Sequence, residues 1–109
     1  MVGDAEDTGL PPLSVDLVVC SQAAHWFDLD KFFAEVDRIL KPNGVLALST
    51  YQATPIASYR DEGTSEKLNK ILKKHRLITL AKYWDSRRSW VENGYADIHI
   101  PYKETLEIR

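Results

Sequence analysis

The residues best suited to chemistry stand together at Cys20-Ser21-Gln22-Ala23-Ala24-His25-Trp26-Phe27-Asp28. The stretch sets an imidazole beside an indole where a structural connection would carry small polar residues. His25 is either a proton acceptor or a histidine that hydrogen-bonds the next helix start or a neighbouring backbone group. Trp26 and Phe27 either staple that helix start or wall a pocket for a flat or cationic ligand. Cys20 follows an apolar run with no evident activating base and reads as a core thiol, and Ser21 lacks the Gly-x-Ser-x-Gly elbow of a nucleophile. Gly3, Gly9, Gly44, Gly63 and Gly94 form neither a Gly-x-Gly-x-x-Gly loop nor a Walker lysine loop. With one cysteine and with His25, His75 and His99 far apart, no metal site is expected.

The elements that must position this stretch are legible on both sides of it. Val15-Asp16-Leu17-Val18-Val19-Cys20 is an apolar run without polar alternation, the pattern of a strand buried on both faces of a parallel sheet. Asp28 is placed to cap a helix from Leu29 to about Leu40, whose apolar stripe is Phe32, Phe33, Val36, Ile39 and Leu40. Lys41-Pro42-Asn43-Gly44 stops that helix, with Gly44 free to take positive φ. Val45 to Thr50 is a second apolar run. Strand, helix and strand make a βαβ unit with parallel strands and a right-handed crossover, an α/β fold. Ligands of open parallel sheets bind outside the carboxyl ends of the strands, which puts 20–28 and Thr50-Tyr51-Gln52 on the binding rim.

Past Tyr51 the pattern weakens. A second helix starts near Ser65, and its Lys67, Lys70, Lys73, Lys74 and Arg76 are either a solvated face or an anion patch. Leu80 to about Asn93 reads as helical or irregular, and the chain extends again around Ile98 to Tyr102. The 109 residues carry 14 Lys+Arg against 16 Asp+Glu, a formal charge of −2. That balance favours neither nucleic acid nor an anionic membrane surface as partner, and no apolar stretch approaches the roughly 20 residues of a membrane span. The acidic start, Met1 to Asp7, is unlike a secretory leader, so a cytoplasmic location is expected.

Taken in order, Gly3-Asp4-Ala5-Glu6, Leu10-Pro11, Val15 to Cys20, His25-Trp26-Phe27-Asp28 and Arg38-Ile39-Leu40-Lys41-Pro42-Asn43-Gly44-Val45-Leu46 resemble the class I S-adenosylmethionine-dependent methyltransferases of the type 11 group. The His-Trp-Phe form, with Tyr83-Trp84, Arg88, Val91, Tyr95, Ile98 and Pro101, looks most like the trans-aconitate methyltransferase-like branch. The resemblance implies a Rossmann-like fold, S-adenosylmethionine as cofactor and a small-molecule acceptor. Carried over by matched position, Asp4 and Ala5 hold the adenine, and Cys20, Ser21 and Gln22 lie beside the methionine part of the donor. His25 and Trp26 then face the methyl pocket, with His25 as the catalytic residue. Asn43 stands where the family has a second glycine.

The family's first strand, glycine-rich loop and ribose-holding acid fall upstream of Gly3, so residues 1–109 are expected to form one incomplete methyltransferase domain. Residues 1–50 are its adenine-side βαβ core and 51–109 its substrate-side region. Such a chain is expected to bind the donor weakly or not at all and to leave the Val15–Cys20 edge and faces unpartnered. If the acceptor is a carboxylic acid, no base is required, and Arg60, Arg87 or Arg88 either clamps a remote carboxylate or is solvated. Two rivals remain at this level: a noncatalytic truncated isoform acting as an interaction module, and a nucleotide-linked oxidoreductase, since a βαβ unit alone does not distinguish donors.

Overall fold

The computed structural model describes residues 2–51 and 56–107. Strand β1 (Val15–Ser21), helix α1 (Leu29–Ile39) and strand β2 (Leu40–Ser49) form the expected βαβ unit, and β1 pairs with β2 in parallel. The ladder runs from Leu17↔Val45 to Ser21↔Ser49 and is extended by the Gln22 amide donating to the Ser49 carbonyl at 2.8 Å.

The join between α1 and β2 differs from expectation. Residues Lys41 to Gly44 do not form a separate turn before a strand at Val45. β2 begins at Leu40, directly after the helix, and the register steps from Val15↔Leu40 to Leu17↔Val45, so Lys41–Gly44 is accommodated as an irregularity within the strand. Asn43, not Gly44, takes positive φ, at 66°; asparagine tolerates that region because its short polar side chain bonds locally. Gly44 is required for a different reason. A Cβ there would sit 2.8 Å from Leu40 Cδ2, 2.9 Å from the Lys41 carbonyl oxygen and 3.3 Å from that of Asp16. The last helical carbonyls, of Arg38 and Ile39, accept the Leu13 and Ser14 amides at 2.9 and 2.8 Å. The chain before β1 therefore caps the end of α1.

Alternation along the strands puts Val18, Cys20, Leu46 and Leu48 on the face that packs with Phe32, Phe33 and Val36 of α1. The opposite face, with Leu17, Val19 and Val45, is exposed, Val19 at 64%. The apolar run of β1 thus has one buried face in this chain, not the two its composition suggests.

After the sheet, Asp61 caps α2 (Glu62–Lys74) by accepting the Thr64 amide at 2.7 Å, so this helix starts ahead of Ser65. It buries no residue, and its lysines form a solvated face. A π-helical stretch (His75–Leu80), a 3-10 turn (Ala81–Tyr83) and the short α3 (Arg88–Glu92) follow. The segment around Ile98 to Tyr102 is irregular, not a strand. It closes the core all the same: Ile98 is buried beside Tyr95, and Tyr102 meets Phe33 edge-on with ring centres 6.4 Å apart. The radius of gyration is 18.3 Å, against about 13 Å for a compact domain of this length.

Candidate functional site

The carboxyl end of β1 breaks at Gln22, a non-glycine residue with φ of 52°. Its conformation is fixed from both ends of its amide: Nε2 donates to the Tyr51 carbonyl at 2.9 Å, and Oε1 accepts the Thr50 hydroxyl at 2.8 Å. The two strand ends are thereby tied into one rim, and the 3-10 turn Ala24–Trp26 follows at once. Backbone held in a sparsely populated region at such a rim is a frequent mark of a binding site.

The aromatic pair divides between its two readings. Phe27 precedes the cap residue Asp28 and packs on Phe32 one helical turn ahead, ring centres 5.0 Å apart, so it is the staple. Trp26 is 55% exposed and faces a cleft. Asp28 caps α1 through a long 3.5 Å contact to the Lys31 amide, with the Lys31 ammonium 3.1 Å from its other oxygen.

His25 is buried, and its Nδ1 lies 3.0 Å from the Tyr95 hydroxyl, a hydrogen bond whose direction follows the imidazole tautomer. Burial lowers its pKa from the ordinary 6.5, the nearby Arg87 charge lowers it further, and Asp85 opposes. The imidazole is therefore neutral at pH 7, able to accept a hydrogen bond or a proton. Tyr95 itself has φ of 62° and follows Gly94 at 63°.

Gln22, His25 and Trp26 line one cleft of about 320 Å³ together with Tyr51, Arg76, Tyr83, Trp84, Asp85, Arg88, Val91 and Glu92. The other four expected site residues lie outside its lining. Asp4 is exposed and accepts the Glu6 amide at Oδ1, 2.9 Å. Ala5 packs against the core. Glu6 Oε1 in turn accepts the Asp28 amide at 2.7 Å, which holds this segment beside the rim. Cys20 is buried among core side chains, and burial pushes its thiol pKa up, as its reading as a core thiol requires. The Ser21 hydroxyl accepts that of Ser49 at 3.0 Å across the sheet.

Of the three arginines considered from sequence, Arg60 lies outside the cleft lining. Arg87 is committed to Asp85 by two side-chain bonds, at 3.0 and 3.2 Å, stands 5.3 Å over the Trp26 ring and donates to the Trp26 carbonyl at 3.3 Å. That contact holds Asp85 well below the usual carboxylate range, to about 2. The Arg88 Cζ stands over Trp84, 3.4 Å from the ring centre. Sequence reasoning missed Arg76 and Tyr95 as site residues. Arg76 read as one cation of a lysine-rich face, and its only distinguishing signal is its place after the lysines, in the π-helical stretch that turns it inward.

The α/β fold matches part of a solved methyltransferase structure, and the comparisons with known proteins point the same way. Residues 1–48 match the family described as methyltransferase domain. A protein of Dictyostelium discoideum with a provisional methyltransferase name is 34% identical over 102 residues, covering 93% of this chain and 36% of that protein. The malonyl-[acyl-carrier protein] O-methyltransferase of Methylococcus capsulatus is 41% identical over 61 residues, 55% of this chain and 22% of that protein. Among solved structures, a provisionally named type II methyltransferase from Anaeromyxobacter dehalogenans superposes with a TM-score of 0.72 at 37% identity, over 99% of this chain and 43% of that chain. The chain thus spans about a third or less of these curated relatives and is similar to part of a methyltransferase domain.

Proposed function

We propose that the chain serves methyl transfer from S-adenosylmethionine to an oxygen of a small organic acid. In this reading Asp4, Ala5, Cys20, Ser21, Gln22 and Trp26 border the donor, and His25 borders the reacting oxygen. The observation that carries it is the cleft on the carboxyl rim of β1, where Gln22, His25 and Trp26 share walls with two guanidinium groups. The relative that methylates a malonyl carrier protein on oxygen supports the same choice.

The residues present fit one side of the donor. Asp4 offers an exposed carboxylate to an exocyclic amine, and the Glu6–Asp28 bond keeps it beside the rim. The chain contains no Gly-x-Gly-x-x-Gly loop, so its own affinity for the donor is weak in this reading. When bound, the donor supplies an electrophilic methyl carbon on a sulfonium. A carboxylate acceptor needs no proton removed, so what the protein must provide is alignment and exclusion of water. His25, neutral and fixed by Tyr95, suits that role because it presents a hydrogen-bonding edge without adding charge.

The test is label transfer from methyl-tritiated donor with glutarate and tricarballylate as acceptors, followed by mild alkali. A methyl ester releases its label as volatile methanol, which is the expected outcome. Label stable to alkali, or none transferred while S-adenosylhomocysteine binds, would remove the reading.

A further inference from the structure

Behind the cleft, Gln22, Thr50, Tyr95 and His25 are joined in a line of hydrogen bonds whose direction follows from its first member. That member is the Tyr51 carbonyl, which can only accept and lies 2.9 Å from the Gln22 side-chain amide. The NH2 group of Gln22 must point to it, which leaves Oε1 toward Thr50. An amide oxygen also only accepts, so the Thr50 hydroxyl, 2.8 Å away, places its single proton there. The same hydroxyl is a partner of the Tyr95 phenol. With its own proton already placed, Thr50 accepts in that contact and Tyr95 donates.

The phenol has only one proton to give. Its oxygen therefore meets His25 Nδ1, 3.0 Å away, as an acceptor, and the ring proton of neutral His25 stands on Nδ1. One lone pair of the phenol is left for the Ala24 and His25 amides that also face it. The opposite assignment, with the phenol donating to Nδ1, leaves the Tyr95 and Thr50 oxygens facing each other with no proton between them. Tyr95 and His25 are both buried, where an unfilled hydrogen bond is costly.

We propose that Tyr95, Thr50 and Gln22 are positioning residues that hold His25 as the Nδ1–H tautomer, so that its Nε2 meets the cleft as a lone pair. His25 lines the cleft and Tyr95 does not, which makes Nε2 the nitrogen open to a ligand. A group that bonds there must bring a hydrogen, as a hydroxyl, an amide or an ammonium does. The positive φ of Gln22 belongs to the same arrangement, since the residue leaves β1 with its amide turned across to the end of β2. The relay depends on no identity for the ligand. In the methyl-transfer reading, the group bonded to Nε2 is a neighbour of the reacting oxygen and not that oxygen itself.

The experiment is long-range proton–nitrogen correlation NMR of the full chain with 15N-labelled histidine. It is run at about pH 8, above the ordinary imidazole value of about 6.5. His75 and His99 are both exposed, and replacing them by His75→Gln and His99→Gln leaves His25 as the reporter. The expected spectrum has the proton on Nδ1, with Nε2 as the bare nitrogen. Thr50→Val keeps the shape but removes the acceptor of the phenol proton, so Tyr95 turns that proton to Nδ1 and the imidazole proton moves to Nε2. The tautomer ratio is expected to change about tenfold or more. Thr50→Ser, which restores the hydroxyl, is expected to restore the original ratio. If circular dichroism shows Thr50→Val unfolded, Tyr95→Phe replaces it, with the same movement of the proton to Nε2 expected. An even mixture or a majority of Nε2–H in the unsubstituted site, or a ratio indifferent to these substitutions, overturns the relay. Each result is read without donor or acceptor present, so failure of the relay and failure of the methyl-transfer reading are separate outcomes.

Discussion

Glu35 shows how much one side chain holds at the residue scale. It is buried on α1, receives two bonds from Arg38 at 2.7 and 2.8 Å, and accepts both the amide and the hydroxyl of Thr8 at 2.9 and 2.6 Å. Those donors, Arg38 first, pull its pKa from 4.5 to about 2. A carboxylate depressed in the folded state contributes stability that is complete above the unfolded value of 4.5 and is lost as pH falls through about 2. Glu35→Gln is therefore expected to lower the urea midpoint at pH 7 and to flatten its fall between pH 4.5 and 2. An unchanged acid limb would show that Glu35 is not the group responsible. His25 was legible as a candidate because a histidine beside a tryptophan is unusual in a connection, and the structure places it on a cleft wall. Its partner Tyr95 was not, because nothing local in the sequence announces a bond spanning the two halves of the chain.

Among the elements, the βαβ unit could be read closely from its residues: β1, α1 and the parallel pairing agree with the apolar runs and the stripe of Phe32, Phe33 and Val36. What could not be read was the join. Pro42 and Gly44 signal a turn, and they do break the regular ladder, but the partner strand reaches past them to Leu40 and draws them into the sheet edge. Long-range pairing overrode local punctuation there. The close approach at Gly44 yields a sharp expectation, because two of its three near neighbours are backbone oxygens that cannot swing aside. Gly44→Ala should destabilise the chain by about 1–3 kcal/mol, the usual cost of forcing an extra carbon into filled space. Urea denaturation measures it, and a midpoint equal to wild type would mean the strand edge can shift. The downstream helices were located only coarsely, since α2 buries nothing and its pattern was never fixed by a core.

The whole molecule is elongated, 56 × 28 × 27 Å, with its core confined to one side of the sheet. Leu17 and Val19 on the other side are both more than half exposed, and such an apolar strand face promotes association. Leu17→Thr with Val19→Thr is expected to raise the concentration at which light scattering appears. Loss of helical circular dichroism in that variant would instead show that the face supports folding. At this scale the sequence was least informative: Arg76, Trp84, Arg88 and the rim residues Gln22, His25 and Trp26 are brought together by packing between distant segments, and no spacing rule encodes that.

The strap from Asp4 to Thr8 is fastened at two points, Glu6 to the Asp28 amide and Thr8 to Glu35. Both anchors lie on or against α1, and neither lies on the sheet. Acid that neutralises the Glu35 clasp would loosen the strap, and with it the carboxylate seated at the start of that helix. In the methyl-transfer reading, donor affinity and acid tolerance should consequently decline together, as two readings of a single buckle.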